Sequence, residues 1–351
     1  MPLTSDQIPS DIAAAVETMA RGSDTEIRLI EPLASGGNNR AFRVETSRGR
    51  FLAKHYFRHG GDRRDRLSSE FLFSVYCSQV APGFAPRPFM KNDAASVALY
   101  EYIEGRPFGA AEITSSEIDR AASFFLALNA PPARAQAIEL PLASEAAFSI
   151  SGHVDLIGLR LRNLTAIEPA SEEDRRAVTF LSALGAEWRA LRDDLERHSA
   201  NLGPLARAEI DAAQRCISPS DFGFHNALRR PDRNICFLDF EYAGWDDPAR
   251  MISDFFTQVA VPVGVEHFDA FTDKCLSAFP DPQALRRRTA ILRPIYAVKW
   301  CCIAMGVYLP VSMARRKFAN PAIDERAVKR EQLEKAEKIF LTIRTMSNGL
   351  H

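Results

Sequence analysis

The sequence lacks an excess of either charge. Its 44 lysine and arginine residues are balanced by 45 aspartate and glutamate residues, which gives a formal net charge of −1. Proteins that bind nucleic acid usually carry a concentrated basic surface, so we expect no nucleic-acid partner. The 46% hydrophobic and 25% charged residues are instead typical of a globular protein with a sizeable apolar core.

Cysteine is scarce, and no two cysteines follow the Cys-x-x-Cys spacing that is typical of zinc sites. The seven histidines do not cluster with the six cysteines along the sequence either, so we expect no structural zinc. Most of the cysteines stand in apolar stretches, where a thiol behaves as a small hydrophobic group. We therefore predict that they are reduced and belong to the core.

Targeting and membrane signals are also missing. The N-terminus has no basic region followed by an apolar core, which a secretory signal would have. We find no apolar run of membrane-spanning length, so we predict no membrane span and a cytoplasmic location. No Gly-Lys-Ser or Gly-Lys-Thr follows a glycine-rich turn, which excludes a Walker-type nucleotide loop.

What is present is a polar loop followed by an apolar strand. Asp221 and Asn226 stand five residues apart, and Asp239 ends the apolar run 235–238, which predicts a buried strand. A polar turn precedes that run, so short strands near 227–229 and 235–238 are expected to form a hairpin. The hairpin would hold three oxygen-bearing side chains at one end.

Three side chains of this kind suit phosphoryl transfer. The reaction needs a carboxylate that orients and deprotonates a hydroxyl group, and hard oxygen ligands that hold magnesium beside the phosphates. Asp221 fits the first role, and Asn226 and Asp239 fit the second. An ordinary polar turn beside a core strand is the alternative, and it would be preferred if the Asp-x-x-x-x-Asn spacing stood alone.

The segment resembles the catalytic loop and metal-binding strand of the aminoglycoside phosphotransferase and choline kinase families. In those families an Asp is followed five residues later by an Asn, and then by an apolar strand that ends in Asp. The run 238–244, Leu-Asp-Phe-Glu-Tyr-Ala-Gly, is similar to choline-kinase-type sequences. The resemblance implies a kinase-like enzyme that uses ATP and Mg²⁺ to phosphorylate a small-molecule hydroxyl group.

One position departs from the family pattern. The family usually has a histidine two residues before the catalytic Asp, where this chain has Pro219. Because that histidine mainly braces the loop, its loss need not abolish the chemistry. Two alternatives stay open: a pseudokinase that binds nucleotide without turnover, and nucleotidyl transfer by the same fold.

The N-terminal part predicts three short strands, at 27–33, 41–46 and 51–57, with a glycine-rich turn between the first two. Glycine has no Cβ, so backbone N–H groups of such a turn can approach a phosphate closely. An ordinary hairpin turn is the alternative. The turn, which continues into Asn39, consists of Ser35, Gly36, Gly37 and Asn38.

Lys54 lies on the third of these strands, and Glu70 lies in the helix predicted at 64–80. In kinase-like folds a lysine at this place reaches the nucleotide phosphates and pairs with a glutamate of the next helix. A surface lysine and a surface glutamate are the alternative. The order of glycine-rich turn, strand lysine and helix glutamate, ahead of the Asp–Asn–Asp set, favours the functional pair.

The resemblance also places a hinge at the end of the strand predicted at 96–103, where backbone groups from Tyr100 past Tyr102 would hold the adenine. A nucleotide-binding lobe, 1–104, would precede a catalytic and substrate-binding lobe, 105–351. The predicted fold class is α+β. It is a bilobal protein-kinase-like fold with a small antiparallel β-sheet and one main helix in the first lobe, and a large, mainly α-helical second lobe.

Several signals outline that helical lobe. A capping box at 114–117 predicts the start of a helix, and long helices are predicted at 171–200, at 285–309 with a kink or boundary at Pro294, and from 320 to about 346. Asp247 is expected to cap a helix. Asp254 is expected to be structural.

The acceptor pocket would be built from the same lobe. Aromatic and acidic side chains together can hold a quaternary ammonium group or an aminosugar, so an amino alcohol such as choline, a sugar or aminosugar, and an aminoglycoside all remain possible acceptors. Core packing is the alternative for the aromatic residues, and we prefer it for Trp300. The candidates are Trp245, Tyr296, Trp300 and Tyr308.

Overall fold

A computed structural model describes residues 10–21, 25–33, 39–58, 64–202 and 208–347. Its N-terminal part is a five-stranded antiparallel sheet, with the strands side by side in the order β1-β2-β3-β5-β4. One helix precedes the sheet and another is inserted after its third strand. The elements are α1 (Ser10–Arg21), β1 (Ile27–Leu33), β2 (Arg40–Thr46), β3 (Gly49–His55), α2 (Arg66–Val80), β4 (Pro88–Asn92) and β5 (Val97–Glu101).

Strand β5 has one helix on each side. Val97 and Leu99 belong to the apolar cluster that includes α1, whereas Ala98 and Tyr100 pack with Leu67 of α2. This alternation follows from the two-residue period of a strand. It explains why β5 is apolar on both faces.

The C-terminal part is mainly helical, as predicted. Two small sheets interrupt it: β6, β8 and β9 form one, and β7 and β10 form the other. The elements are β6 (Arg106–Pro107), α3 (Ser115–Asn129), α4 (Pro131–Arg134), α5 (Ile150–Leu164), α6 (Glu172–Leu202), β7 (Cys216–Ser218), β8 (Ala227–Arg229), β9 (Ile235–Phe237), β10 (Gly244–Asp246), α7 (Pro248–Thr257), α8 (Phe268–Leu276), α9 (Pro282–Met305), α10 (Pro310–Ala319) and α11 (Glu325–Ser347).

Both predicted helix caps are confirmed. The Thr114 hydroxyl accepts a hydrogen bond from the Ser116 N–H, and Glu117 accepts one in return from the Thr114 N–H. At the start of α7, Asp247 Oδ1 accepts a hydrogen bond from the Ala249 N–H at 2.9 Å. These bonds satisfy N–H groups that the first helical turn leaves without an intrahelical partner.

The C-terminal helices differ from the prediction in two respects. Helix α9 continues through Pro294, so this proline does not form a boundary. The last helix begins at Glu325 rather than near 320, and α10 precedes it. Pro310, at the first position of α10, starts that helix because its fixed φ suits the first turn.

The expectation about apolar runs needs correction. Within the described residues, one helical segment, Pro282–Tyr308, is long and apolar enough to cross a membrane by length and composition, with a mean hydropathy of 1.4. However, 72% of its apolar window is buried inside the protein. Its side chains pack with α5, α6 and α11 in one apolar cluster, so the segment is the central helix of the C-terminal core.

A second core cluster surrounds the β8–β9 hairpin and is rich in phenylalanine. The rings of Phe124 and Phe237 stack at 5.1 Å, and Phe222 lies 4.9 Å from Phe237. The six cysteines are buried free thiols, as predicted. The two predicted strands form this hairpin, and Leu228 pairs with Cys236.

The backbone at Gly105, which follows β5, lies very close to strand β8 of the hairpin. A Cβ at this position would lie 2.9 Å from the Arg229 carbonyl oxygen and 3.0 Å from the Leu228 Cβ. Only glycine leaves room for this backbone contact. The predicted division between residues 104 and 105 stays a prediction.

The end of α10 touches the N-terminal sheet. Arg40 Nε donates to the Phe318 carbonyl oxygen at 2.7 Å, and the Arg40 guanidinium lies 4.5 Å from the centre of the Phe318 ring. The rings of His55 and Phe57 each lie 5.2 Å from that ring, edge to face. We call this contact the Phe318 clasp; it joins α10 to β2 and to the end of β3.

Candidate active site

Lys54 lies in β3 opposite Ala98 of β5. Its Nζ donates to Glu70 Oε2 at 2.6 Å and to Asp239 Oδ1 at 2.5 Å. The three residues belong to a strand, to helix α2 and to the end of the hairpin. The structure therefore brings together three of the predicted site residues across the two parts of the chain.

Two buried tyrosines, linked through their hydroxyl groups, hold the Glu70 carboxylate by a hydrogen bond. The Tyr56 hydroxyl donates to Glu70 Oε2 at 2.9 Å, and it lies 2.8 Å from the Tyr100 hydroxyl. Tyr100 is thus a strand residue whose side chain points into the sheet–helix interface. Tyr102 follows the end of β5, and the Arg50 guanidinium lies 5.5 Å from its ring. Contact of either residue with a nucleotide base stays a prediction.

The loop after β7 carries Asp221 and is anchored by two buried phenylalanines that follow it. Phe222 and Phe224, on either side of Gly223, are buried in the phenylalanine-rich core. Asp221 Oδ1 lies 3.0 Å from His225 Nε2, and Asn226 Nδ2 donates to Asp221 Oδ2 at 3.1 Å. Alternating apolar and polar residues thus fix the loop and direct its polar side chains to one side.

Asn226 connects this loop to the strand that carries Asp239. The Leu238 N–H donates to the Asn226 carbonyl oxygen at 2.8 Å. Because Asn226 Nδ2 is used by Asp221, the amide oxygen is the atom that remains as a ligand for a cation. Asp239 has φ of 64°, a left-handed conformation that Asp tolerates better than most residues, and this residue terminates the strand.

The Lys54 group contains carboxylates and cations in close contact, and Arg64 joins it by donating to the Glu241 carbonyl oxygen at 2.8 Å. Glu70, Asp239 and Glu241 face Lys54 and Arg66. Burial lowers the pKa of Lys54, but the charges of Asp239 and Glu70 outweigh it and raise that pKa well above its usual value. Burial raises the pKa of Glu70 to about 7, and burial and Glu241 raise the pKa of Asp239 against the opposing effect of Lys54.

The oxygen atoms of this group fit a divalent cation. A hard cation such as Mg²⁺ prefers carboxylate and amide oxygens, and Asp239 and Asn226 supply both kinds side by side. A lysine held by two carboxylates also fits a phosphate chain, because it is charged and already oriented. The residues present therefore fit both a magnesium ion and a nucleotide.

Glu241 is the most deeply buried carboxylate near this group, with none of its side chain exposed. Arg66 Nη1 contacts Glu241 Oε1 at 3.0 Å, and Asn39 Nδ2 donates to Glu241 Oε2 at 2.8 Å. Arg66 also donates to the Tyr242 hydroxyl at 2.7 Å. These contacts fasten the strand β2 and the helix α2 to the segment that follows Asp239.

Replacing Arg66 with methionine is expected to lower the free energy of unfolding by about 3 kcal/mol, because the buried Glu241 carboxylate would lose the guanidinium group that contacts it at 3.0 Å. Urea denaturation measures the change. Arg50→Met is the matched control: its pair with Glu104 is about half exposed, and exposed pairs contribute less than about 1 kcal/mol. Equal effects of the two changes would contradict the buried role of Arg66.

A pH dependence follows from Glu70. In the unfolded chain this group ionises near its ordinary pKa of 4.5, whereas in the folded protein it ionises near 7. Between these values the folded protein holds a proton that the unfolded chain lacks, so this contribution to stability falls as pH rises from 4.5 to 7.

Glu70→Gln should remove that contribution. We expect the stability of Glu70→Gln relative to the unsubstituted protein to rise with pH by up to about 1.4 kcal/mol per pH unit across this range. Urea denaturation between pH 5 and 7.5, without nucleotide or magnesium, measures it. Parallel stability profiles of the two proteins would be inconsistent with the raised pKa of Glu70.

Behind the loop that carries Asp221, a buried ionic network surrounds Asp254. Lys299 Nζ donates to Asp254 Oδ2 at 2.7 Å, and Trp300 Nε1 donates to Asp254 Oδ1 at 2.8 Å. Arg250 lies 3.5 Å from Asp254 and donates to the Ser220 hydroxyl at 3.3 Å. Asp254 therefore supports the loop indirectly, which agrees with the structural role expected for it.

The predicted pocket aromatics are not brought together. Tyr296 is buried, and its hydroxyl lies 2.7 Å from His153 Nδ1. Tyr308 is buried against α11 and donates to the Lys329 carbonyl oxygen. The idea that these two rings line an open pocket is wrong, because both fill the helical core. Trp245 donates to the Ala137 carbonyl oxygen. Trp300, expected in the core, is only partly buried.

Sequence reasoning missed several polar residues of the site. His225 directly precedes Asn226 of the motif, and this position could have indicated that it belongs to the site. The sequence around Arg66 and Lys299 gave no such indication, because each stands in a helix, where a basic residue usually faces solvent. The predicted phosphate-binding turn, Ser35, Gly36, Gly37 and Asn38, lies outside the described residues.

The chain matches a known protein family. A family model described as "Phosphotransferase enzyme family" matches residues 29–255. No curated protein matches the chain. Among solved structures, the chain is similar to a choline/ethanolamine kinase family protein from Mesorhizobium loti, with 16% identity, a TM-score of 0.56, and coverage of 91% of this chain and 92% of the other.

Two further structures show the same fold similarity. The choline kinase LicA from Streptococcus pneumoniae has 15% identity and a TM-score of 0.56, over 94% of this chain and 99% of the other. An ADP-bound aminoglycoside phosphotransferase has 14% identity and a TM-score of 0.52, over 95% and 99%. The fold is thus kinase-like, with an antiparallel N-terminal sheet and a helical C-terminal part. Because the family model covers well over half of the sequence, the chain belongs to the phosphotransferase enzyme family.

Proposed function

We propose that this protein is a small-molecule kinase that transfers the terminal phosphoryl group of ATP to a hydroxyl group, with magnesium. The observation that carries the proposal is the double contact of Lys54 with Glu70 and Asp239, next to the Asp221–Asn226 loop. Side chains from four separate elements meet there in the combination that phosphoryl transfer requires.

Asp221 would act on the acceptor. Burial raises the pKa of Asp221, but His225 and Asn226 outweigh that effect and hold the pKa below its usual range. Asp221 is therefore ionised at neutral pH and can orient the acceptor hydroxyl group and accept its proton. The hydroxyl oxygen forms a bond to the terminal phosphorus of ATP, the bond from that phosphorus to the bridging oxygen breaks, and ADP leaves.

The remaining site residues would hold the nucleotide. Lys54, oriented by Glu70, would bind phosphate oxygens, and Asn226 and Asp239 would hold magnesium. Bound magnesium supplies positive charge that neutralises the phosphates. The nucleotide would lie between the lobes 1–104 and 105–351, with its base against the segment from Tyr100 to Tyr102 and with the 35–38 turn over its phosphates.

The chemical class of the acceptor alcohol is a separate part of the proposal. The similarity of the run 238–244 to choline-kinase-type sequences favours an amino alcohol, and a sugar, an aminosugar or an aminoglycoside is the alternative. Two carboxylates of the helical part near Lys299 already have basic partners: Asp254 is bound by Lys299, and Glu145 by Arg160. An acceptor panel should therefore contain neutral alcohols as well as cationic ones.

ADP production on a panel of amino alcohols, sugars and aminoglycosides tests the proposal. Acceptor-dependent, magnesium-dependent ADP release would support it. Release of pyrophosphate with transfer of AMP would instead show nucleotidyl transfer. Magnesium-dependent ATP binding without turnover on any acceptor would favour a pseudokinase, and absence of ATP binding would overturn the proposed function altogether.

A further inference from the structure

His225 is the residue directly before Asn226, and its ring has one polar contact within the site. Nε2 lies 3.0 Å from Asp221 Oδ1. Because a carboxylate only accepts, Nε2 must carry the hydrogen and donate it. With Asn226 on Oδ2, each carboxylate oxygen of Asp221 has one donor, which fixes the plane of the carboxylate.

The surroundings of Nδ1, on the other edge of the imidazole, keep the ring in place. Nδ1 is buried and makes no hydrogen bond with a described residue, and 14% of the side chain is exposed. A Cβ on Gly223 would lie 2.7 Å from Nδ1 and 2.9 Å from Cε1. The ring therefore lies directly against the Gly223 backbone, which leaves Nε2 facing Asp221.

On the N-terminal side of Asp221 the loop has no imidazole, because Pro219 stands where the phosphotransferase and choline kinase families usually have a histidine. Here the Ser218 hydroxyl accepts a hydrogen bond from the Ser220 N–H at 2.9 Å, and Ser220 has φ of 66°. These contacts hold the backbone, whereas the carboxylate of Asp221 receives its imidazole contact from the C-terminal side.

We propose that His225 positions Asp221 for phosphoryl transfer, by holding Oδ1 while the remaining lone pairs of the carboxylate face the acceptor hydroxyl group. The proposal rests on the proposed function. It makes His225 a positioning residue, because its effect passes through Asp221. A carboxylate that swings by about 1 Å can cost roughly 10²-fold in rate.

His225→Leu should therefore lower kcat about 10- to 100-fold and leave the KM for ATP within a few-fold. His225→Gln should recover most of kcat, because the glutamine amide can place an N–H donor near the position of Nε2. Gly223→Ala should also lower kcat, since the added Cβ displaces the ring. His267→Leu is the matched control: that side chain is 19% exposed and lies before α8.

A double-substitution cycle separates positioning from a merely structural role. In the Asp221→Ala background, His225→Leu should change turnover less than about twofold, because no carboxylate remains to be positioned. A further loss as large as in the unsubstituted protein would overturn the proposal. An unchanged kcat in His225→Leu, or no recovery in His225→Gln although it folds and binds ATP, would do the same.

A second measurement does not depend on turnover. In a ¹H–¹⁵N spectrum of the full chain, the His225 Nε2–H should give a slowly exchanging resonance that is absent in His225→Gln and lost or shifted in Asp221→Ala. If that resonance is insensitive to Asp221→Ala, the contact and the proposal fail. If the contact is present but no acceptor is phosphorylated, the proposed function fails instead.

Discussion

Replacing Asp221 with alanine is expected to lower kcat by roughly 10²- to 10⁴-fold, the range that loss of a general base costs, and to leave ATP affinity nearly unchanged. The reason is the place of Asp221 in the site. It contacts His225 and Asn226, whereas Lys54 is held by Glu70 and Asp239. Asn226 Nδ2 also donates to the Asp221 backbone carbonyl oxygen at 3.0 Å, a contact that alanine keeps. Removing the Asp221 side chain therefore disturbs the acceptor side and spares the phosphate side.

Initial rates of ADP release at saturating ATP measure kcat, and a magnesium-dependent thermal shift measures ATP binding. Asp232→Ala is the matched control, because Asp232 is exposed in the turn of the same hairpin; it should behave like the unsubstituted protein. Turnover of Asp221→Ala within a few-fold of the unsubstituted protein would show that Asp221 is not the base.

Asp239→Asn should weaken nucleotide binding in the presence of magnesium and spare it in the absence of magnesium. The amide keeps the shape of the carboxylate but lacks the charge that a hard cation prefers. Loss of even an outer partner of a metal ligand costs roughly 10- to 100-fold in metal affinity, so loss of the ligand charge should cost at least as much. Turnover should fall in parallel.

The contact between Asp239 and Lys54 also predicts how Asp239→Asn changes ATP binding without magnesium. Asp239 holds Lys54 Nζ at 2.5 Å, so removing its charge frees the lysine for a phosphate, and magnesium-free ATP binding should stay equal or become stronger. Thermal-shift titrations with ATP, in magnesium and in chelator, test both directions. Asp93→Asn, in an exposed turn, serves as control. Equal losses in both conditions would exclude Asp239 as a metal ligand.

Local features of this fold could be predicted well from the sequence. The β8–β9 hairpin, the capping box at Thr114 and the cap at Asp247 depend on residues within a few positions of one another. Strand β5 could be placed because an apolar run between turn residues has few alternatives. The pairing of Lys54 with Glu70 came from the resemblance rather than from periodicity.

Long-range polar contacts could not be predicted. Arg66 contacts Glu241 across a sequence separation of 175 residues, and Lys299 contacts Asp254 across a separation of 45 residues. A charged residue in a helix has the same local pattern whether it faces solvent or a buried partner. Likewise, Tyr296 could be a pocket residue or a core residue until the position of α9 inside the helical core was known.

The Phe318 clasp would couple helix α10 to the nucleotide binding proposed for Lys54. Arg40 and His55, which it contacts, belong to the strands that lead to and carry Lys54. A ligand that binds only the folded arrangement of these strands stabilises, by mass action, every element whose docking requires them. Replacing Phe318 with alanine should thus weaken nucleotide affinity, although Phe318 lies far from Lys54 along the sequence.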